Sequence, residues 1–423
     1  MSSDRVHSRP GGFDIRPASG REATRIYDGI WMSPGLSNSY LIVTPEGRVV
    51  INTGMGFEAP IHKALFAAVD TAPLRYILLT QGHVDHVGGV DCFKEEGTQV
   101  VAQEDNRACQ ADDARIRRFR VRRSAVFWAE AVSRANASER ARPKGAPAPV
   151  QSIPVPTLTF RDRFDFELGG WRFELWATPG GETLDSICVW LPDRGVAFVG
   201  NQFSALFPHI PNLVTLRGDR HRFVPSYIES LERVLDLEPE LLVTGHFDPI
   251  RGKREIRAEL ERLRDAIRYV HDATVAGMNR GEDVHTLMRE IRLPEHLRVG
   301  EGYGKVAWNV RAIWEGYAGW FHHRSTTELY GVPPSRVHPE IVELAGGANA
   351  VAARAARRVD AGEPLSAIHL AEMALAADPD NRAALEVMLT AHERLLEESG
   401  GENFWEVGWL RHQIAKTRAT LDG

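Results

Sequence analysis

The stretch "LLTQGHVDHVGGV", residues 78–90, decides the fold. The apolar, β-branched run "RYILLT" that leads into it predicts a short buried strand, and the polar cluster begins where that strand would end. Sites in α/β proteins commonly lie at such strand ends. His83, Asp85 and His86 fall in one loop, and the glycines of "VGGV" let the backbone turn tightly into a helix. The pattern predicts a loop that aims three side chains at one point, although HxDH alone is equally typical of a solvated turn.

Three further strand-end loops favour the interpretation as a metal site. Glu182 follows the strand-like "FELWA" in a Pro-Gly-Gly turn, Asn201 follows "GVAFVG", and His246 follows "ELLVTG". Packing alone does not explain ligand-type residues at four strand ends. Imidazole and carboxylate groups are common metal ligands. The sequence therefore predicts a metal centre built from these loops.

Composition narrows the class of protein. The 423 residues include 43% hydrophobic and 26% charged residues with a net charge of -6, which is typical of a globular protein. No basic stripe indicates a nucleic-acid partner, and no apolar run reaches the roughly 18 to 20 residues of a membrane span. Cys92, Cys109 and Cys188 are widely spaced, which suits a reducing compartment. We expect a cytoplasmic protein.

The chain is long for one core, and its patterning changes near residue 252. Residues 1–252 mix strand-like and helix-like runs and predict a layered α/β or α+β domain. Residues 253–423 are almost wholly helical, and their last segments resemble stacked helical hairpins. The Pro- and Ala-rich segment 141–157 predicts an irregular crossing loop, and a role as a lid stays open.

The order of these motifs resembles the metallo-β-lactamase superfamily. That family's HxHxDH, TPGHT-like, GD-like and GH motifs correspond here to "QGHVDH", "TPGGET", "VGN" and "TGHFD". The resemblance implies an αββα sandwich with a one- or two-metal centre, usually zinc. It also implies the metal ligands Gln81, His83, Asp85, His86, Glu182, Asn201 and His246.

A closer resemblance is to the alkylsulfatase branch, which carries a glutamate at the place of Glu182. "NLVTLRG", residues 212–218, is similar to a family segment whose arginine contacts sulfate. "RRSAVFW", residues 122–128, resembles a segment that lines the pocket. The helical half resembles the dimerisation domain of those sulfatases and implies a homodimer. The substrate-binding residues implied by these segments are Arg123, Phe127, Trp128, Asn212 and Arg217.

Two positions depart from the family pattern. Gln81 stands where the family has its first histidine, and Asn201 stands where an acidic residue commonly bridges the metals. A neutral amide oxygen is a weaker zinc ligand than imidazole or carboxylate. Three states are open: two metals with a weakened first position, one metal on Asp85, His86 and His246, or a decayed site. We expect two metals, because His83 and Glu182 are retained at their strand ends.

These features predict a metal-dependent hydrolase of an anionic or ester-like small molecule, with a sulfate ester first. Metal-bound hydroxide would attack, Asp85 would act as a ligand and orient the water, and Arg217 would bind the anion. One alternative is a redox or lyase-type enzyme with iron or manganese, which carbonyl-oxygen ligands would suit. The other is a metal-free dimeric scaffold.

Overall fold

The computed structural model describes residues 8–140 and 150–423. Its strands are Thr24–Tyr27 (β1), Ile30–Ser33 (β2), Ser39–Thr44 (β3), Gly47–Ile51 (β4), Leu74–Leu78 (β5), Gln99–Gln103 (β6), Leu158–Phe160 (β7), Arg163–Leu168 (β8), Trp171–Ala177 (β9), Ile187–Leu191 (β10), Val196–Gly200 (β11), Leu241–Thr244 (β12) and Ile250–Arg251 (β13). Its helices are Ala59–Val69 (α1), Val84–Val87 (α2), Val90–Phe93 (α3), Asn106–Arg140 (α4), Val224–Asp236 (α5), Lys253–Asn279 (α6), Val284–Glu290 (α7), Val306–Ala318 (α8), His338–Leu344 (α9), Ala348–Asp360 (α10), Pro364–Ala377 (α11), Arg382–Glu398 (α12) and Phe404–Asp422 (α13).

The strands form two mixed sheets. The first has the order β1-β2-β3-β4-β5-β6-β7, in which β1 to β4 pair antiparallel and β4 to β7 pair parallel. The second has the order β13-β12-β11-β10-β9-β8. Within it, β9 and β11 both pair antiparallel with β10, and β11 pairs parallel with β12. Strands β9, β11 and β12 therefore run in the same direction and end at one edge.

The main core lies between the two sheets. Strand β9 reads "WRFELWA", and its alternate residues Trp171, Phe173 and Leu175 are buried in that core. Such alternation marks a strand with one face toward the core. Strands β10 and β11 are buried at every position, because their other face is covered by α5 and α6. Helices α1 and α3 cover the outer face of the first sheet. The αββα sandwich is confirmed.

The chain divides into two compact units, residues 1–316 and residues 317–423. The sequence predicts the division at residues 252 and 253. The two positions differ because α6 presents Ile256, Leu260 and Leu263 to the core on the outer face of the second sheet. Helical periodicity identifies an apolar face, but it does not say which core that face joins.

The second unit is a stack of helices, as predicted. Helices α9 to α12 share a core rich in alanine, which allows close approach of the helix axes. Gly346 and Gly347 both have a positive φ and separate α9 from α10. Asn381 caps α12 by accepting the Ala384 N–H.

Residues 150–157 have no helix or strand, in agreement with the predicted irregular loop, while residues 141–149 of that loop lie outside the described residues. None of the helices in the described ranges combines the length and hydropathy needed to cross a membrane.

A buried carboxylate, Glu58, joins three loops beside the site. Its oxygens accept the backbone N–H groups of Ala18, Leu36 and Met55 at 2.7, 2.8 and 3.2 Å. Burial raises the pKa of Glu58 to about 7, although the three N–H donors oppose that shift. Each donor would be left unsatisfied without this acceptor.

We predict that Glu58→Gln lowers the free energy of unfolding by about 1 to 3 kcal/mol, because an amide replaces one acceptor oxygen with a donor. Urea denaturation measures the change, and Glu229→Gln on the exposed face of α5 is the matched control. Equal stability of the two variants would contradict this role for Glu58.

Candidate metal centre

The site lies where strands of both sheets end. The chain leaves β5 at Leu78 and enters a loop that carries Gln81 and His83, while Asp85 and His86 lie on the short helix α2 and not in the predicted loop. In the second sheet, the loops after β9, β11 and β12 carry Glu182, Asn201 and His246. Because β9, β11 and β12 run in the same direction, their carboxyl ends bring these loops together.

Asp85, His86 and His246 form the first group, called the Asp85 set below. One ligand atom from each lies within 4.8 Å of the others. Two ligands about 2.1 Å from one tetrahedral ion stand about 3.4 Å apart. The distance of 3.5 Å between His86 Nε2 and Asp85 Oδ2 agrees with that spacing. These residues therefore fit a divalent metal ion.

Unsatisfied polar atoms support the same fit. His246 Nδ1 and Asn201 Oδ1 are buried and have no hydrogen-bond partner among the described residues. Asn201 Nδ2 lies 3.2 Å from His86 Nε2, so the Asn201 amide is at the edge of the set. Buried polar atoms without partners cost free energy, and a bound ion would remove that cost.

The protonation states of the Asp85 set suit metal binding. Burial lowers the pKa of His86 to about 4, and it also lowers the pKa of His246. Burial alone would raise the pKa of Asp85, but the charges of His86 and His246 lower it below its usual range. At neutral pH the set therefore offers two neutral imidazoles and one carboxylate, which are the forms that bind metal.

Gln81, His83 and Glu182 form the second group, called the His83 set below. Gln81 Nε2 lies 3.1 Å from His83 Nδ1, and Glu182 Oε1 lies 3.4 Å from the same nitrogen. Gln81 Oε1 accepts the backbone N–H of Asn201 at 3.1 Å. The structure thus brings all seven residues predicted as metal ligands to one edge, six of them in two adjacent groups and Asn201 in contact with both.

Two charged residues of this site, Asp219 and Arg222, are absent from the sequence-based prediction. Asp219 Oδ2 lies 3.3 Å from His83 Nε2, and Arg222 Nη1 lies 3.2 Å from Glu182 Oε2. Burial opposes the charge of Asp219, but the hydrogen bond and charge of His83 hold its pKa far below the usual range. Their only sequence signal is a position just beyond "NLVTLRG", residues 212–218.

The predicted anion-binding residue, Arg217, lies beside both groups. Its Nη2 is 3.9 Å from Asp219 Oδ2, and its charge contributes to lowering the pKa of Asp85. Arg123 Nε and Nη2 donate to the backbone oxygens of Arg217 and Leu216 at 2.8 and 2.7 Å. Arg123 therefore fixes the loop that carries Arg217.

The other predicted substrate-binding residues have different surroundings. Asn212 is fully buried, and its Nδ2 donates to the backbone oxygen of Tyr303 at 3.1 Å. Arg222 donates to the backbone oxygen of Asn212. Phe127 and Trp128 are partly buried on α4, where Trp128 departs from helical geometry and marks a kink.

A cavity of about 120 Å³ opens beside the His83 set. His83, Glu182, Asp219 and Arg222 supply its polar wall, and Phe223 is on its apolar side. The cavity could admit a small polar group next to the site.

Comparison with protein families adds two matches. Residues 32–246 match the metallo-beta-lactamase superfamily. Residues 283–405 match the alkyl sulfatase dimerisation domain. The first match contains β3 to β12 and all seven of the predicted metal ligands.

Several curated proteins are similar along most of the chain. A linear primary-alkylsulfatase of Pseudomonas sp. is 29% identical over 401 residues, which are 90% of this chain and 74% of that protein. The alkyl/aryl-sulfatase BDS1 of Saccharomyces cerevisiae is 25% identical, over 94% of this chain and 65% of that protein. The (R)-specific secondary-alkylsulfatase of Pseudomonas sp. is also 25% identical, and the chain spans 63% of its length.

Among solved structures, the stereoselective inverting sec-alkylsulfatase Pisa1 from Pseudomonas sp. superposes with a TM-score of 0.79. The superposition covers 100% of this chain and 69% of that one, at 20% sequence identity. This likeness shows a shared fold.

Gly245 precedes His246 in a crowded position. A Cβ built there would overlap Asn201 Oδ1 and lie 3.0 Å from His86 Cε1. We predict that Gly245→Ala weakens zinc binding at least about tenfold, equivalent to roughly 1.4 kcal/mol, because the Asp85 set must spread. Calorimetric titration with zinc measures the effect.

Gly331→Ala is the matched control, since a Cβ there meets no heavy atom of the described residues within 4 Å. Unchanged zinc affinity in Gly245→Ala would contradict the assignment of the Asp85 set.

Proposed function

Because the chain belongs to the metallo-beta-lactamase superfamily, we propose that it is a metal-dependent hydrolase of sulfate esters. The observation that carries the proposal is the convergence of Asp85, His86 and His246, with the Arg217 guanidinium beside them. A metal ion in the Asp85 set and the positive charge of Arg217 would both attract an anionic ester. Three similar proteins are named as alkylsulfatases, which supports this choice of substrate.

The metal we propose is zinc, held by Asp85, His86 and His246. Two imidazoles and one carboxylate are a common zinc set. When bound, zinc would polarise the scissile group and lower the pKa of a water molecule to about 7. Asp85 holds negative charge at the same place, and its position is fixed by helix α2.

Arg217 is proposed to orient the sulfate. Its guanidinium can donate two parallel hydrogen bonds to a tetrahedral anion. The Arg217 side chain is restrained by Asp219 at 3.9 Å, and its backbone is held by Arg123. Because the side chain is already ordered, less conformational entropy is lost when the substrate binds.

The two alternatives have less support. Iron or manganese with redox or lyase chemistry would be favoured if Gln81 and Asn201 were oxygen ligands, but Gln81 Oε1 is engaged by the Asn201 N–H. A metal-free scaffold would leave His246 Nδ1 buried at a cost in free energy without any gain.

We also propose that the protein is a homodimer. Within residues 317–344 of the second unit, Trp320 is 72% exposed, Tyr330 is 68% exposed and Leu344 is 90% exposed. Exposed large apolar side chains become buried when a partner covers them, and a contiguous patch of them marks an interface. The match to a dimerisation domain covers the same residues.

We place the enzyme in the cytoplasm. All three of its cysteines, Cys92, Cys109 and Cys188, are free thiols in the described chain. Free thiols are stable in a reducing compartment.

We predict that the zinc-loaded protein releases sulfate from a linear primary alkyl sulfate, and that Arg217→Gln raises KM for it about tenfold or more. The loss of a charge-assisted hydrogen bond costs roughly 1.5 to 3 kcal/mol. Ion chromatography measures the sulfate released by the wild type and by Arg217→Gln at several substrate concentrations, from which KM is obtained for each.

The control is Arg220→Gln, since Arg220 is in the same loop but is 65% exposed and pairs with Asp112. No hydrolysis of sulfate esters, carboxylic esters, lactones or phosphodiesters with zinc, manganese or iron would refute the proposed function.

We predict that Leu344→Glu converts the protein to a monomer, because a buried unpaired charge would destabilise an apolar interface. Light scattering after gel filtration measures the molar mass. Glu343→Gln changes a neighbouring exposed position and serves as the control. A monomeric wild-type protein would exclude the dimer.

A further inference from the structure

We propose that this chain binds one divalent ion, in the Asp85 set, and that hydrogen bonds within the protein close the adjacent metal position in the His83 set. The inference revises the two-metal expectation drawn from the sequence. It rests on the proposed function only in requiring that a metal binds.

Distance alone does not separate the two groups. His83 Nδ1 and Glu182 Oε1 are 3.4 Å apart, and His86 Nε2 and Asp85 Oδ2 are 3.5 Å apart. Both spacings suit two ligands of one ion, which stand about 3.4 Å apart. An amide nitrogen lies near a histidine in both groups, with Gln81 Nε2 at 3.1 Å from His83 Nδ1 and Asn201 Nδ2 at 3.2 Å from His86 Nε2. The groups differ because the Gln81 oxygen accepts an N–H, whereas the Asn201 oxygen has no partner among the described residues and its amide is free to turn.

In the His83 set the Gln81 amide is engaged at both ends. Its oxygen accepts the Asn201 N–H at 3.1 Å, and its nitrogen lies 3.1 Å from His83 Nδ1. The group facing the metal position is therefore an amide nitrogen, which carries hydrogen atoms and is no ligand. Turning the Gln81 amide by 180° would place its oxygen at the metal position. The Asn201 N–H would then face the Gln81 NH₂ group, and two donors would oppose each other.

The carboxylate of the His83 set is also engaged. Glu182 Oε2 lies 3.2 Å from Arg222 Nη1. The Glu182 and Arg222 side chains are 3% and 4% exposed, so this pair is shielded from water. Arg222 already balances the charge of Glu182, which reduces the attraction of that carboxylate for a second cation.

The Asp85 set shows the opposite condition. His246 Nδ1 and Asn201 Oδ1 are buried without hydrogen-bond partners in the described part of the chain. Buried polar groups normally have partners, and the exceptions often mark an unseen ion or water. Arg222 Nε and Nη2, beside Glu182, also lack partners in the described chain, but they are donors and cannot bind a cation, whereas an imidazole nitrogen and an amide oxygen can.

Two observations about charge agree with a single ion. Asn201 is neutral where the family commonly has an acidic bridge, so the space between the groups lacks one negative charge. Arg217 Nη2 lies 3.9 Å from Asp219 Oδ2, and the same oxygen lies 3.3 Å from His83 Nε2, so the guanidinium is close to the His83 set. Two divalent ions beside that guanidinium would repel it and one another more strongly than one ion would.

The test is the amount of metal bound, independent of catalysis. Protein stripped with chelator, reloaded with excess zinc chloride and gel-filtered is expected to hold one equivalent by elemental analysis. We expect the variants His83→Ala and Glu182→Gln to retain one equivalent of zinc. The variant His246→Ala is expected to retain about tenfold less zinc. Cobalt chloride gives a second readout, because the absorption spectrum of the bound ion changes if its ligands change.

Thermal melting of each variant shows which are folded, and Glu182→Gln gives the result if His83→Ala unfolds. Two equivalents in the wild type would overturn the proposal, and so would loss of the ion in His83→Ala or in Glu182→Gln. One equivalent without hydrolysis would refute the proposed function alone, whereas two equivalents with hydrolysis would refute only the single ion.

The reverse experiment opens the closed position. Gln81→His supplies an imidazole in place of the amide nitrogen, so zinc is expected to rise from one equivalent to two. Gln99→His, at the exposed first position of β6, is the matched control. A Gln81→His variant that still holds one equivalent would contradict closure by Gln81.

Discussion

The structure depends on one topological constraint, the shared direction of the strands that end at the site. Strands β9, β11 and β12 run the same way in the second sheet, so the loops that carry Glu182, Asn201 and His246 meet at one edge. The loop after β5 brings His83 to the same place, and helix α2 brings Asp85. Residues far apart in the chain become neighbours because the backbone ladders fix where each strand ends.

That edge concentrates polar groups that would be costly to bury alone. The two groups offset the free-energy cost of burying these polar atoms differently, one with ion pairs and the other with a metal ion. In the His83 set, Asp219 and Arg222 supply partners and form a buried network of ion pairs. In the Asp85 set the partners are incomplete, which we attribute to a metal ion. Glu58 holds two neighbouring loops by accepting the backbone N–H groups of Leu36 and Met55.

Much of the fold could be predicted from the sequence, because strand ends, glycine turns and helical periodicity are local signals. The sandwich and the helical second unit are confirmed, and the ligand roles of the seven site residues stay predictions. Asp219 and Arg222 could not be found in this way, because they lie in an irregular loop whose path no periodicity reveals. The role of Arg123 needed its contacts with the backbone of Leu216 and Arg217. Helix α6 shows the same limit, since its apolar face could have joined either unit.

The most direct test of the central claim is anomalous diffraction at the zinc edge from crystals of the zinc-loaded protein. A single peak among Asp85, His86 and His246, with no peak between His83 and Glu182, is the predicted result. Two peaks about 3.5 to 4 Å apart would establish a two-metal centre instead. No peak at either group would contradict the assignment of a metal centre to this edge of the fold.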